Sequence, residues 1–330
     1  MKMNKKLNHI IVLLILIFIG CKSTVPPIVY DQSYSNLKNE IEIITLLINQ
    51  NDFNNAQKRI NQNLSVYNND LQLLTLSIHL LTKEGKYSEA LNNAENLLLK
   101  NKSNPLLYAL LATIYYHNGD IEKAHNYIKL SLSISKNISY TWYQKGFFEY
   151  NEKNYNASEI SFNRAYLLDK NNTDAYFFRY LSRLYIQQNI DELKKEWNFI
   201  KENIILSSAH YVYHAIVLYE IKSIKDAEEI INEGFSLFPD DPFILNCIAY
   251  LITINYSNTQ EKDDLLLTDA LDKILKSLSY TILPEFADTH LQILYLQKNY
   301  TELENNYNKY KLLFPENQII QEWNIKIKPE

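Results

Sequence analysis

An all-α superhelical solenoid of stacked helical hairpins is the fold class this sequence predicts, and three observations predict it. A small residue returns at a nearly fixed interval: Ala56, Ala90, Ala124 and Ser158 fall 34 residues apart. Leu193 follows 35 later, then Ala227 after 34, Ala270 after 43 and Leu303 after 33. Around each position lies an apolar set at −3, 0 and +4, from Phe53/Ala56/Ile60 to Tyr300/Leu303/Tyr307. That spacing is one face of a helix. Finally, 5 Gly and 8 Pro in 330 residues leave too few tight turns for a β-sandwich. A period in this range is the mark of a repeat architecture.

The first segment reads as an address. Residues 1–20 carry Lys2, Lys5 and Lys6, then an apolar run from Ile10 to Ile19 that ends at Gly20-Cys21. A positive start, a short apolar stretch and a small residue before the break describe a secretory signal peptide. The run falls short of the roughly 20 apolar residues of a membrane-spanning helix. Phe18-Ile19-Gly20-Cys21 resembles the processing box of bacterial lipoproteins, with Phe18 standing where Leu is commonest. The resemblance implies cleavage before Cys21 and acylation of its thiol. Lys22 follows where an Asp would imply retention at the inner membrane, so the expected location is the bacterial cell envelope, leaning to the outer membrane. Cleavage removes three lysines, and the charge of −5 becomes −5 − 3 = −8. Residues 21–36 read as the acylated Cys and an extended tether, because Pro26-Pro27 forbids helix.

Residues 37–317 divide into eight helical hairpins, near 37–70, 71–104, 105–138, 139–173, 174–207, 208–241, 242–283 and 284–317. The third unit, from Pro105 through Tyr108, Ala112, Tyr115 and Gly119 to Ala124, resembles a tetratricopeptide repeat. Trp142 and Gly146 in the fourth, Gly85, Tyr87 and Ala90 in the second, and Ala215, Ala227 and Pro239 in the sixth carry the same likeness. The resemblance implies a right-handed superhelix. Helices approach to about 8–10 Å only where contact residues lack bulk. Ala112, Gly146, Ala215 and Ala249 are expected to make that room on the first helices. Leu193 and Leu303 break the rule, so the fifth and eighth hairpins should pack more loosely. The seventh carries about nine extra residues within 255–264, read as a longer loop or an added helical turn that costs little entropy. Residues 318–330 should supply a short capping helix over the open apolar face of the last repeat.

The chemistry that is absent narrows the function. An acidic chain is a poor nucleic-acid binder, since phosphates need a basic surface. The sequence holds no Gly-rich phosphate loop and no zinc, triad or dithiol motif, so neither an enzyme nor a cofactor is expected. His210 and His214 lie one helical turn apart, yet a metal site needs at least three protein ligands. Cys247 sits on an apolar helix face and reads as an inert thiol.

What remains is the face of the first helices, which lines the groove in tetratricopeptide arrays. By position, the resemblance places Tyr116, Tyr140, Tyr143, Phe147, Tyr150, Phe178, Tyr185, Tyr219, Tyr250 and Tyr295 there, along with His79 and Thr113. Tyr116, Tyr150, Tyr185, Tyr219 and Tyr295 recur at one place in five units, as a ladder. Such rings suit reversible binding of a peptide, but they also pack between helices. Tyr140, Tyr143, Phe147 and Tyr150 form the densest group. The expected role is a non-enzymatic scaffold or adaptor, holding another envelope protein or peptide and attached to the membrane through its lipid. The alternative is a receptor for a small hydrophobic ligand that works with an envelope transporter.

Overall fold

The computed structural model describes residues 32–49, 52–186, 190–260, 262–315 and 317–327. The signal segment and Cys21 lie outside these. The described residues are helical throughout, and the chain divides into two compact units at Ile204/Ile205.

The first unit runs α1 (Gln32–Asn49), α2 (Phe53–Val66), α3 (Leu71–Lys83), α4 (Tyr87–Lys100), α5 (Pro105–His117), α6 (Ile121–Ile134), α7 (Ser139–Asn151), α8 (Tyr155–Leu168), α9 (Thr173–Ile186) and α10 (Ile190–Asn203). The second runs α11 (Ser208–Glu220), α12 (Ile224–Leu237), α13 (Pro242–Asn258), α14 (Asp264–Tyr280), α15 (Pro284–Leu296), α16 (Tyr300–Leu313), α17 (Gln318–Gln321) and α18 (Trp323–Ile327). Each odd-numbered helix from α1 to α15 packs against the even one that follows and, within each unit, against the next hairpin where one follows.

The turn inside the second, third, fourth, sixth and eighth hairpins is built the same way. Gly85, Gly119, Lys153, Lys222 and Lys298 all take positive φ, between 57° and 87°. The next residue's N–H reaches back to a carbonyl in the helix: Asp120 to Tyr115 and Asn154 to Glu149, at 2.9 and 2.8 Å. Ser223 to Leu218 and Asn299 to Leu294 repeat it at 2.8 and 3.0 Å. A left-handed residue closed by that bond is a Schellman stop. The following helix starts on a side-chain cap in most units, as where Asp120 accepts from Lys123 N and Asn154 from Ala157 N.

Between hairpins, a second small position forms a seam. The Ser131 hydroxyl donates to the Pro105 carbonyl at 2.7 Å and meets the Thr141 hydroxyl at 2.9 Å, tying α6 to the starts of α5 and α7. Ser139 donates to the Ala165 carbonyl at 2.9 Å. In the second unit Ser277 donates to the Pro242 carbonyl at 2.8 Å. The junction residues Ala56, Ala90, Ala112, Ala124, Ala227 and Ala270 have no exposed surface. A Cβ on Gly146 would stand 2.9 Å from the Phe162 ring, and one on Gly234 only 2.7 Å from Tyr211 Cβ.

The structure refines several expectations. In the fifth hairpin bulky Leu193 is buried. Arg179 and Arg183 both pair with Glu196 there, a polar tie between its two helices. The insertion lengthens helices: α13 and α14 have 17 residues each, and the Tyr256 hydroxyl donates to Asp264 across the bend at 2.8 Å. The tether was expected to stay extended to residue 36, but α1 begins at Gln32. Nothing between Gln32 and Leu37 breaks a helix, so it extends back from the buried Leu37/Ile44/Ile48 face. The closing helix is two short pieces, α17 and α18, divided at Glu322, and Trp323, the first residue of α18, is buried.

Candidate interaction surface

The first helices of the third, fourth, sixth and eighth hairpins end alike: a ladder tyrosine (Tyr116, Tyr150, Tyr219 or Tyr295), two more residues, then the left-handed stop. The stop's N–H donates to the tyrosine's own carbonyl, as Gly119 does to Tyr116 and Lys153 to Tyr150. In these hairpins the ladder ring is thereby fixed at one height.

The rings then pack. Tyr116 stacks on Phe148 of the next hairpin at 4.1 Å and 2°. Tyr185 stacks on Tyr155 of the preceding hairpin at 3.8 Å and 6°. Tyr150 meets Tyr155, Phe178 and Tyr185 edge-on at 5.5–6.0 Å. Tyr143 and Phe178 lie against Phe162, each at 5.5 Å. Tyr143, Phe147, Tyr150 and Phe178 are therefore buried, and Tyr140 is nearly so, with its hydroxyl 3.2 Å from Thr113. The group Tyr140, Tyr143, Phe147 and Tyr150, expected from the sequence to line the groove, is thus packed inside it. Aromatic rings at one-turn spacing on adjoining helices satisfy one another edge to face, and that contact wins over exposure. Tyr219 and Tyr250 in the second unit are also buried.

Three ladder rings keep accessible surface: Tyr116 and Tyr185 are half-buried, and Tyr295 is 44% exposed beside Tyr300 and Trp323. In the first unit, half-buried His79, Lys83 and His117 extend the Tyr116 end of this face. The two imidazoles lie within electrostatic reach of each other and of the Lys83 ammonium. Poor solvation, helped by that cation, holds both down to about 3, so they stay neutral at ordinary pH.

In the second unit, Glu285 at the start of α15 is 2% exposed and its Oε1 has no hydrogen-bond partner. Burial first, then the nearby Asp288 carboxylate, pushes it up to about 7. Asp288 itself accepts from Trp323 Nε1 at 2.6 Å and Gln292 Nε2 at 2.5 Å. Sequence pattern alone did not single out Glu285: a Glu in a first helical turn is ordinarily a solvated dipole partner.

The His210/His214 pair resolves into two structural roles. His210 Nδ1 accepts from the Ser207 N–H at 3.0 Å as part of a helix start, and His214 is buried. Cys247 is buried, and burial pushes its thiol well above the usual range. Among the described residues, no group of three or more His, Cys, Asp or Glu is placed to hold a metal ion, and no helix is long and apolar enough to cross a membrane.

Residues 81–136 match the family model described as tetratricopeptide repeat. Among solved structures, the APC/C hetero-tetramer Cut9-Hcn1 is similar at 10% identity and a TM-score of 0.56, over 84% of this chain and 53% of that one. The chain thus spans about half of that protein's length. The human IFIT1 dimer with m7Gppp-AAAA is similar at 13% identity and a TM-score of 0.52, over 92% and 71%. A tetratricopeptide repeat protein from Parabacteroides merdae ATCC 43184 has 18% identity and a TM-score of 0.48, over 90% and 99%. No curated protein sequence matches the chain. The likenesses to Cut9-Hcn1 and IFIT1 show an all-α repeat fold.

Proposed function

We propose that this chain is a non-enzymatic scaffold of the bacterial cell envelope, attached to the outer membrane through lipid on Cys21. It holds a partner protein or peptide on the first-helix face of its hairpins. One observation carries the reading. Tyr116 and Tyr185 are fixed at equivalent helix ends with part of each ring accessible, and the Tyr116 end adds neutral His79 and His117 with the Lys83 cation. Rigid rings with few rotors, beside donors and one charge, bind a peptide at low entropic cost. The tetratricopeptide match at 81–136 includes most of this end.

A photo-crosslinking amino acid at Tyr185, activated in intact cells, should capture a discrete protein, and Tyr116→Ala should weaken that capture. Smeared or absent adducts with an intact fold would exclude the scaffold reading. Cys21→Ser should release the protein from the membrane fraction and remove its acyl mass. Unchanged fractionation would exclude lipid attachment.

A further inference from the structure

The two edges of the first unit differ in how their charges are paired. The edge made by the turns within hairpins balances its acids with lysines, Glu84 with Lys86 and Asp120 with Lys123. The edge made by the connections between hairpins is of another kind. The seam bonds from Ser131 and Ser139 place connections 101–104, 135–138 and 169–172 side by side on it. Here Leu99, Ile134 and Leu167, in the last turns of α4, α6 and α8, are 67%, 43% and 54% exposed. Each stands beside exposed lysines: Lys100 and Lys102, Lys136, and Lys170. The chain has no Asp or Glu in 96–119 or 123–148, the stretches that build the middle of this edge.

Aromatic side chains with polar tips complete it. The half-buried Trp142 indole donates to the Lys136 carbonyl at 2.8 Å. The Tyr108 hydroxyl donates to the Lys102 carbonyl at 3.1 Å. Both rings thus lie at the loops themselves. Exposed aliphatics, amphipathic rings at one level and long lysines around them are the combination that settles at a lipid headgroup boundary. The three connections carry Lys102, Lys136 and Lys170 against one acid, Asp169, and anionic headgroups need only such an excess of cations. The positive edge on an otherwise acidic chain supplies them.

We infer that the inter-hairpin edge of the first unit, around Leu99, Ile134 and Trp142, rests on an anionic lipid surface. The contact does not depend on acylation. It would turn the hairpin-turn edge away from the bilayer.

The experiment uses the mature chain from residue 21 carrying Cys21→Ser and vesicles of phosphatidylglycerol with brominated acyl chains, which quench nearby indoles. The Trp142 fluorescence should be quenched, and the quenching should vanish in Trp142→Phe, leaving only what Trp197 and Trp323 contribute. Exchanging Lys100, Lys102 and Lys136 for Glu should weaken binding at least about tenfold, as should raising the salt concentration. Brominated phosphatidylcholine should quench little. If Trp142 is not quenched on phosphatidylglycerol, or is quenched equally on phosphatidylcholine, the inference is wrong. Quenching that survives both the lysine exchange and high salt also overturns it. The salt series decides the matter should the triple variant fold poorly. Capture of a partner by Tyr185 is a separate readout, so either result can fail alone.

Discussion

Gly146 and Gly234 each keep a helix crossing tight by lacking one carbon, and they are not equally replaceable. The added Cβ at Gly146 meets the face of the Phe162 ring, which can tilt. At Gly234 it meets Tyr211 Cβ at 2.7 Å, an atom fixed to its backbone. Both alanine variants should lose about 1–3 kcal/mol in thermal or urea unfolding, with Gly234→Ala the worse. The left-handed stops give the opposite opportunity. Lys153 and Lys222 sit at φ 62° and 69°, where an L side chain costs about 1 kcal/mol and glycine costs little. Lys153→Gly should therefore raise the melting temperature, and Gly119→Lys, at φ 87°, should lower it.

Glu285 makes a prediction of known sign. Its folded carboxyl holds a proton up to about 7, above the ordinary 4.5, so the folded state binds more protons in that interval. Stability then falls as pH rises from 4.5 to about 7 and stays reduced above. Glu285→Gln should be more stable than the parent at pH 8, by on the order of 2 kcal/mol, and should show no advantage near pH 4. An equal melting difference at both values would mean that the carboxyl is already ionised or well solvated. His79 and His117 work the other way. Their folded values near 3 lie below the ordinary 6.5, so they withdraw stability as pH falls below that value.

At the scale of elements, the hairpin period was legible because burial needs a small residue at each crossing, and Ala56, Ala90 and Ala124 recur in register. The starts of helices were legible too, since Asp and Asn before apolar runs are caps. Asp241 shows how much one such residue does. It accepts from Phe243 N and Ile244 N and from the Ser208 hydroxyl, joining α11 to the start of α13. Asp241→Ala should cost about 1–2 kcal/mol, and Asp241→Asn less, since the cap survives. The ring placement was only half legible. Spacing located the ladder on the first helices, but the same spacing serves packing and binding. Whether Tyr150 faces a partner or Phe178 depends on what the next hairpin offers, which a single helix cannot encode. The second small position, at Ser131, Ala165, Gly234 and Ser277, was missed because its residues differ in chemistry and share only size.

At the scale of the whole array, stability in a repeat protein is a sum of hairpins and their junctions, so each end hairpin lacks one neighbour. The C-terminal end replaces it with α17 and α18. Ile320 and Trp323 are buried with Leu291, Leu294, Leu303, Tyr307 and Tyr310, and the Trp323 indole bonds Asp288. Removing residues 318–330 would bare this cluster and leave Asp288 without that donor. Ending the chain at 317 should therefore unfold α15–α16 before the rest, seen as an early transition in hydrogen exchange and as binding of a hydrophobic dye. Trp323→Phe should separate the two contributions: it keeps most of the buried area and loses the hydrogen bond, so it should cost about 1–3 kcal/mol where truncation costs the hairpin. A truncated chain whose α15 amides exchange no faster than the parent's would show that the last hairpin holds without a cap.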